Sequence, residues 1–84
     1  MMMLVQKLEQ EQRAFAEQRP YMLGDFAALQ ISCYLIGRQR AINSIKPGSF
    51  VKTSVGNGIV EECTPAGVII LHTGRSCLVD FVIA

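Results

Sequence analysis

Three side chains in the C-terminal half, Cys63, His72 and Cys77, are of types that act as nucleophiles, bases or metal ligands. A two-residue turn at Gly74-Arg75 would pair His72 with Cys77 across a hairpin, as a nucleophile and its base are paired. The rest of that face is aliphatic, and no acid stands near to orient the imidazole. We therefore expect the cysteine to behave as a small apolar residue and predict that the chain is not an enzyme.

A zinc site built from the same residues fails on distance. With Pro65-Ala66 as the preceding turn, Cys63 lies opposite Val68, four residues along the strand from His72. Four residues of strand span about 13 Å, whereas bonds to zinc are about 2 Å long. There is also no Cys-x-x-Cys spacing. We predict no metal and no cofactor.

The carboxylates offer no paired acid and base. Glu61 and Glu62 are adjacent, so on a strand they are expected to point to opposite faces. Asp80 alternates away from its apolar neighbours, which predicts a solvent-facing side chain. Gly56-Asn57-Gly58 is too short for a phosphate-binding loop and precedes a strand rather than a helix. We predict no catalytic residue among them.

The charges nearly cancel but are unevenly distributed. Eight basic and seven acidic residues give a net charge of +1, which provides no general attraction to nucleic acid or anionic lipid. No acid occurs between Asp25 and Glu61. The basic residues of that interval are the predicted contacts for a partner or a nucleic acid: Arg38, Arg40, Lys46 and Lys52. They form either a solvated basic face or a weak phosphate-contacting patch whose binding would depend strongly on salt.

The length of the chain predicts a single domain, residues 1–84. A domain of this size buries only about 60% of the surface of its unfolded chain. Yet 50% of the residues are hydrophobic and the mean hydropathy is +0.29. Part of the apolar surface therefore stays exposed or is covered by another chain. We expect a homo-oligomer, a dimer or larger. A different protein partner is the second candidate for covering this apolar surface.

The sequence carries no recognisable targeting signal. The charge-free run over 26–37 is much shorter than the ~20 residues of a membrane-spanning helix. No basic segment precedes an apolar stretch at the start, as it does in a signal peptide. The three cysteines are an odd number and are expected to be reduced. These features predict a cytoplasmic protein that does not enter a membrane.

Two helices are predicted in the N-terminal half. Residues 4–18 have one apolar stripe at helical spacing, which contains Leu4, Val5, Leu8, Gln12 and Phe15. Pro20 sets the end of this helix near Arg19, and Asp25 is a suitable N-cap for the next. Residues 26–42 are apolar nearly all round, which is typical of a helix buried on more than one side. Their alternation also fits a strand, and Gly37 is expected to end or bend a helix there.

The C-terminal half changes character and predicts strands. The β-branched runs lie at about 50–55, 59–64, 67–73 and 76–83. The turns between them are predicted at Asn57-Gly58, Pro65-Ala66 and Gly74-Arg75, the last as a type II′ turn. Short connections give an antiparallel meander, open or closed into a small β-barrel. The predicted fold class is α+β, with a helical part at about 4–44 packed on a β part at about 48–84.

This β part resembles small β-barrels of the Tudor and KOW type. The similarity lies in a Pro-Gly that opens the first strand, a Gly-Ile-Val after the first loop, an apolar strand and an acidic-aromatic pair: Ile45–Thr53, Gly58–Val60, Gly67–Leu71 and Val79–Phe81. The resemblance implies a binding module rather than an enzyme. The Tudor aromatic cage is missing, because Phe50 and Phe81 are the only aromatic residues of this half.

We therefore expect a small non-enzymatic interaction module that self-associates and binds a partner protein. The alternative is a small-barrel nucleic-acid-binding protein that uses the basic residues at 38, 40, 46 and 52. The scarcity of aromatic residues argues against this alternative, because single-strand binders stack bases on such side chains. An enzyme centred on Cys77 and His72 has the least support.

Overall fold

The computed structural model describes residues 1–18 and 26–84, which form two helices followed by a four-stranded antiparallel sheet. The elements are α1 (Leu4–Glu17), α2 (Phe26–Ser44), β1 (Phe50–Val51), β2 (Gly58–Cys63), β3 (Val68–Leu71) and β4 (Ser76–Leu78). A short 3-10 turn, Val79–Phe81, follows β4. This order confirms the predicted α+β class.

Helix α1 coincides with the amphipathic segment predicted over 4–18. Its buried residues are Val5 and Ala16, and Leu4 and Leu8 pack partly buried against the core. Phe15, which the spacing assigns to the same stripe, is 51% exposed. The predicted stop at Pro20 and the N-cap at Asp25 lie outside the described residues.

Residues 26–42, which the sequence left open between helix and strand, are part of the helix α2, Phe26–Ser44. Gly37 does not end this helix, which was one of the two outcomes expected for it. Gly37 is buried next to the backbone of α1, around Leu8 and Glu9, and α2 continues through it. The two helices form a closely packed antiparallel hairpin.

The sheet has the strand order β1-β2-β3-β4, and every pair is antiparallel. One extra residue interrupts the β2–β3 ladder between Val60 and Glu62, which is a β-bulge. Strands β1 and β4 are shorter than predicted. After Leu78 the chain turns, and Val82 and Ile83 form isolated bridges to Thr53 and Met3 instead of extending β4.

The turns agree with the sequence at one place out of three. Pro65-Ala66 lies in the β2–β3 turn, but the loop also includes Gly67, so Cys63 pairs with Ile69 and not with Val68 as predicted. The β1–β2 loop spans residues 52–57, and Gly58 is the first residue of β2. The predicted two-residue Asn57-Gly58 turn is therefore wrong. The β3–β4 connection is a turn over residues 72–74 in which Gly74 has φ +90°, rather than a type II′ turn at Gly74-Arg75.

The bridge between Thr53 and Val82 joins the segments that follow β1 and β4, so the sheet curls into a half-barrel. The main core fills the space between this sheet and the helices and consists of Val5, Ala41, Ile42, Ile45, Val51, Val60, Ile69, Leu71, Val79 and Val82. A second, small cluster of Ala16, Leu29 and Cys33 lies between the helices alone. The molecule measures 46 × 25 × 17 Å, because the helical hairpin projects beyond the sheet.

Candidate interaction surface

The predicted pairing of His72 with Cys77 is wrong. The turn over residues 72–74 places Cys77 opposite Ile69, three positions from His72. His72 is exposed, and its Nδ1 accepts a hydrogen bond from the Ile59 backbone N–H at 3.2 Å. The imidazole therefore caps the end of the β2–β3 ladder and has no thiol to activate.

The half-buried thiols of Cys63 and Cys77 flank the same residue. Cys63 pairs with Ile69 from β2, and Cys77 pairs with it from β4. Two strand spacings, about 10 Å, then separate their Cα atoms, which is too far for a disulfide. Burial raises the pKa of both thiols. The Lys46 charge lowers the pKa of Cys63 and a hydrogen bond with the Thr53 hydroxyl lowers that of Cys77, but burial has the larger effect in each case. Neither thiol has the lowered pKa of a nucleophilic cysteine.

The remaining metal-ligating side chains are dispersed. Within residues 1–18 and 26–84, no group of three His, Cys, Asp or Glu residues could hold a metal ion. Cys33 is buried in the small cluster between the helices. Glu61 and Glu62 are both exposed, because the bulge between Val60 and Glu62 breaks the strand alternation that would send them to opposite faces.

Asp80 is the carboxylate whose surroundings the sequence did not predict. Strand alternation predicts that it faces solvent, but its side chain is only 28% exposed and binds two residues of α2. The Tyr34 hydroxyl donates to Oδ2 at 2.5 Å, and Arg38 Nε donates to Oδ1 at 2.9 Å. Arg38 Nη2 also donates to the Ala66 carbonyl at 3.1 Å. The Asp80 cluster, Tyr34, Arg38 and Asp80, thus joins α2 to the 3-10 turn and to the β2–β3 turn.

The same contacts shift two pKa values in opposite directions. Partial burial alone would raise the pKa of Asp80, but the hydrogen bonds from Tyr34 and Arg38 and the guanidinium charge outweigh it, so this pKa is lowered. The hydrogen bond to Asp80, partial burial and the Asp80 charge together raise the pKa of Tyr34. At neutral pH the cluster therefore holds a carboxylate, a guanidinium and a neutral phenol. It fastens α2 to the sheet.

The four basic residues of the predicted contact patch have different surroundings. Arg38 belongs to the Asp80 cluster, and Arg40 forms an exposed ion pair with Glu11 of α1 at 3.3 Å. Two residues of helix separate these arginines by about 200°, so they point away from each other. Lys46 and Lys52 are exposed, and neither forms an ion pair in the described part of the chain.

A groove of about 440 Å³ lies between the start of α1 and the end of α2. Its lining combines apolar, amide, hydroxyl and guanidinium groups: Leu4, Leu8, Arg40, Asn43 and Ser44. These residues include no carboxylate, thiol or imidazole. The groove can accommodate an apolar side chain, but its lining cannot carry out acid–base or nucleophilic chemistry.

Among the large apolar side chains of α2 that the structure describes, the two most exposed lie on one side of the helix, the side that packs against the sheet further along the chain. Ile31 and Leu35 are 61% and 57% exposed. They precede Arg38 and Ile42 by seven residues, which is almost two full turns, so the four side chains share one side of the helix. Arg38 binds the β part and Ile42 belongs to the main core. The sheet therefore covers only the C-terminal half of this side.

We call Ile31, Tyr34 and Leu35 the uncovered stripe. Tyr34 is at its edge, 37% exposed, with its hydroxyl held by Asp80. The sequence indicates that α2 is apolar on several sides, but it offers no means of telling where along the helix the sheet ends. That position decides which residues remain exposed.

No protein family, curated protein or solved structure gives a significant match to this chain. In the described ranges, no helix combines the length and the hydropathy needed to cross a membrane. The function must therefore be inferred from the surfaces described above.

Proposed function

We propose that this chain is a small non-enzymatic interaction module that self-associates through the uncovered stripe of α2. The observation that carries the proposal is the exposure of Ile31 and Leu35 side by side, one turn apart on a regular helix. Contiguous apolar side chains that stay in water are typical of a surface that another protein covers.

The energetics of the helical hairpin support an additional contact at this place. Among the described residues, the buried cluster in the part of the hairpin beyond the sheet consists of Ala16, Leu29 and Cys33. Burying an exposed isoleucine or leucine side chain contributes about 1.5–3 kcal/mol each. Covering the uncovered stripe would therefore add apolar burial to the hairpin.

The charges do not oppose a second copy of the chain as the partner. Helix α2 has no charged residue from Phe26 to Gly37, so nothing on this face selects a partner of particular charge. The net charge of +1 leaves only weak repulsion between two copies. If two copies cover the uncovered stripe, the groove beside Leu4 and Leu8 is still accessible and could bind the partner protein.

Nucleic-acid binding has less support than self-association. Arg38 and Arg40 are both paired with carboxylates, which leaves Lys46 and Lys52 as the cations of the predicted patch that form no ion pair in the described ranges. Two phosphate contacts give weak binding that is lost at moderate salt. Binding of a single-stranded oligonucleotide at low salt, and its loss in a Lys46→Ala/Lys52→Ala variant, would favour this alternative.

The experiment that tests the proposal is the solution mass of the purified protein over a wide concentration range, with a charge placed in the stripe. Self-association predicts a mass of at least twice 9.3 kDa, the mass of the chain. Leu35→Glu should return the protein to the mass of one chain, because a buried carboxylate without a partner opposes association.

A further inference from the structure

The sequence contains one Asn-Gly pair, Asn57-Gly58, which the proposed function leaves unused. In such a pair the glycine backbone nitrogen, once it loses its proton, can attack the amide carbon of the asparagine side chain, because glycine has no side chain to obstruct the approach. A C–N bond forms, ammonia leaves, and a succinimide ring results. Water then opens the ring to leave aspartate or isoaspartate at position 57. Whether this happens in the folded chain depends on what holds the two reacting groups.

The attacking nitrogen belongs to Gly58, the buried first residue of β2. Alternate N–H groups of a strand point to the same edge. The N–H of Val60, two residues on, points to the β1 side, where it donates to the Ser49 carbonyl at 2.8 Å. The Gly58 N–H therefore also points to β1, where its partner residue is Val51. This pairing keeps the nitrogen in the sheet and away from the Asn57 side chain.

The amide of Asn57 is held by the same part of the chain. Asn57 is exposed, so water reaches it, and its Oδ1 accepts a hydrogen bond from the Thr53 backbone N–H at 3.2 Å. Thr53 follows Val51, the partner of Gly58, by two residues. The restraints on both reacting groups thus come from residues 51–53. When this segment moves away from β2, the nitrogen and the amide are released together.

Residues 51–53 are held less firmly than the middle of the sheet. Strand β1 contains only Phe50 and Val51 and stands at the end of the strand order. Beyond it, Thr53 has an isolated bridge to Val82 instead of a continuous ladder. Short elements of this kind open locally at a lower free energy than the core of a domain. Val51 itself is buried in the main core, so the closed form still predominates.

We propose that Asn57 is a site of spontaneous deamidation and that the pairing of β1 with β2 limits its rate. Water is the co-reactant and ammonia the leaving group. The reaction lowers the net charge from +1 to zero, because one neutral amide becomes a carboxylate. The isoaspartate product also lengthens the main chain by a methylene group directly before Gly58. The pairing with Val51 is then weakened, so a chain that has opened and reacted closes less well than before.

Deamidation of the full chain at mildly alkaline pH, in buffer and in urea, tests the site. Peptide mass spectrometry should find modification of Asn57 at least about tenfold slower in the native protein than in urea. Gly58→Ala is the control for the chemistry and should slow the reaction in urea. A Cβ atom at position 58 would lie 3.5 Å from the Leu71 side chain, an ordinary contact, so this variant keeps the fold. An unmodified Asn57 in urea would overturn the site, and equal rates would overturn its protection by the sheet.

Two matched core variants separate opening of β1 from unfolding of the whole domain. Val51→Ala and Val5→Ala each remove two methyl groups from the main core, the first in β1 and the second in α1. Native Val51→Ala should deamidate several-fold faster than the wild type, whereas Val5→Ala should keep the wild-type rate. Equal acceleration by both variants, or none by Val51→Ala, would overturn control by the β1–β2 pairing.

Amide hydrogen exchange of the wild type gives a second measurement that needs no variant. The Gly58 amide should exchange through a local opening, and therefore faster and with less dependence on urea than the amide of Ile69 in the inner strand β3. Exchange of both amides with the same rate and the same urea dependence would mean that β1 opens only with the whole domain. That result would overturn the proposed control of deamidation.

Discussion

Gly37 in α2 lies directly against the backbone of Glu9 in α1. A Cβ atom at position 37 would stand 2.6 Å from the Glu9 nitrogen and 3.0 Å from its Cα. These neighbours are backbone atoms of a regular helix, so they cannot move aside as a flexible side chain would. The absence of a side chain at Gly37 is therefore what lets α1 and α2 approach so closely.

Gly37→Ala should destabilise the protein, although alanine is the better helix former. In an exposed helix this change would stabilise by up to ~1 kcal/mol. At the crossing of α1 and α2 we expect a net loss of about 1–3 kcal/mol, because the added methyl group pushes the helices apart. Urea unfolding followed by circular dichroism measures it. Ser32→Ala, at an exposed position of the same helix, is the matched control and should be nearly neutral or slightly stabilising.

Removal of the Asp80 charge should weaken the attachment of α2 to the sheet. Asp80→Asn replaces a carboxylate that accepts hydrogen bonds from Tyr34 and Arg38. We expect the free energy of unfolding to fall by about 1–2 kcal/mol near pH 7. Glu61→Gln, which removes one exposed carboxylate from the sheet, is the control and should have little effect. Equal losses for the two variants would contradict the structural role of the Asp80 cluster.

The contribution of Asp80 should also depend on pH in a defined direction. Its pKa in the folded protein is lowered, so its stabilisation is present above the unfolded value of about 3.9 and is lost as the pH falls through the folded pKa. The difference in unfolding free energy between wild type and Asp80→Asn should therefore shrink as the pH falls below about 4. A constant difference between pH 6 and pH 3 would mean that folding does not lower the pKa of Asp80.

The half-buried cysteines should react slowly with alkylating reagents. Because burial raises the pKa of Cys63 and Cys77, fewer thiolates are present near neutral pH than in the unfolded chain. Mass spectrometry after iodoacetamide treatment at pH 7.5 should show slower modification of these residues in the native protein than in urea. Faster modification of Cys77 in the native protein than in urea would indicate an activated thiol and would contradict the non-enzymatic proposal.

The local pattern of the sequence is enough to predict α1, the four strands and the fold class, but it leaves residues 26–42 open between helix and strand. Helical spacing over residues 4–18 and β-branched runs after Lys46 depend on neighbours within a few positions, and both are observed. Alternation predicts that the last strand continues to residue 83, but it ends at Leu78. Val79–Phe81 form a 3-10 turn instead, with Asp80 bound to Tyr34, 46 residues earlier. The alternation of apolar and polar residues along a short segment does not reveal a contact between residues so far apart in the sequence.

The candidate surface is only partly predictable for the same reason. The excess of apolar residues in α2 predicts that some stay uncovered, and Ile31 and Leu35 do in the single chain. The basic residues stand apart from acids along the sequence, but folding brings Arg38 to Asp80 and Arg40 to Glu11. The β3–β4 loop lies at residues 72–74 and not at 74–75, and this moves the partner of Cys77 by three positions, from His72 to Ile69.

The solution mass of three proteins, measured by size-exclusion chromatography with light scattering, tests the central proposal most directly. The proteins are the wild type, Leu35→Glu and Phe50→Glu; Phe50 is as exposed as Leu35 but lies on β1. We predict a wild type and a Phe50→Glu variant of at least twice 9.3 kDa, and a Leu35→Glu variant of 9.3 kDa. A wild type that stays at 9.3 kDa at every concentration, or a Leu35→Glu variant with the wild-type mass, would contradict self-association through the uncovered stripe.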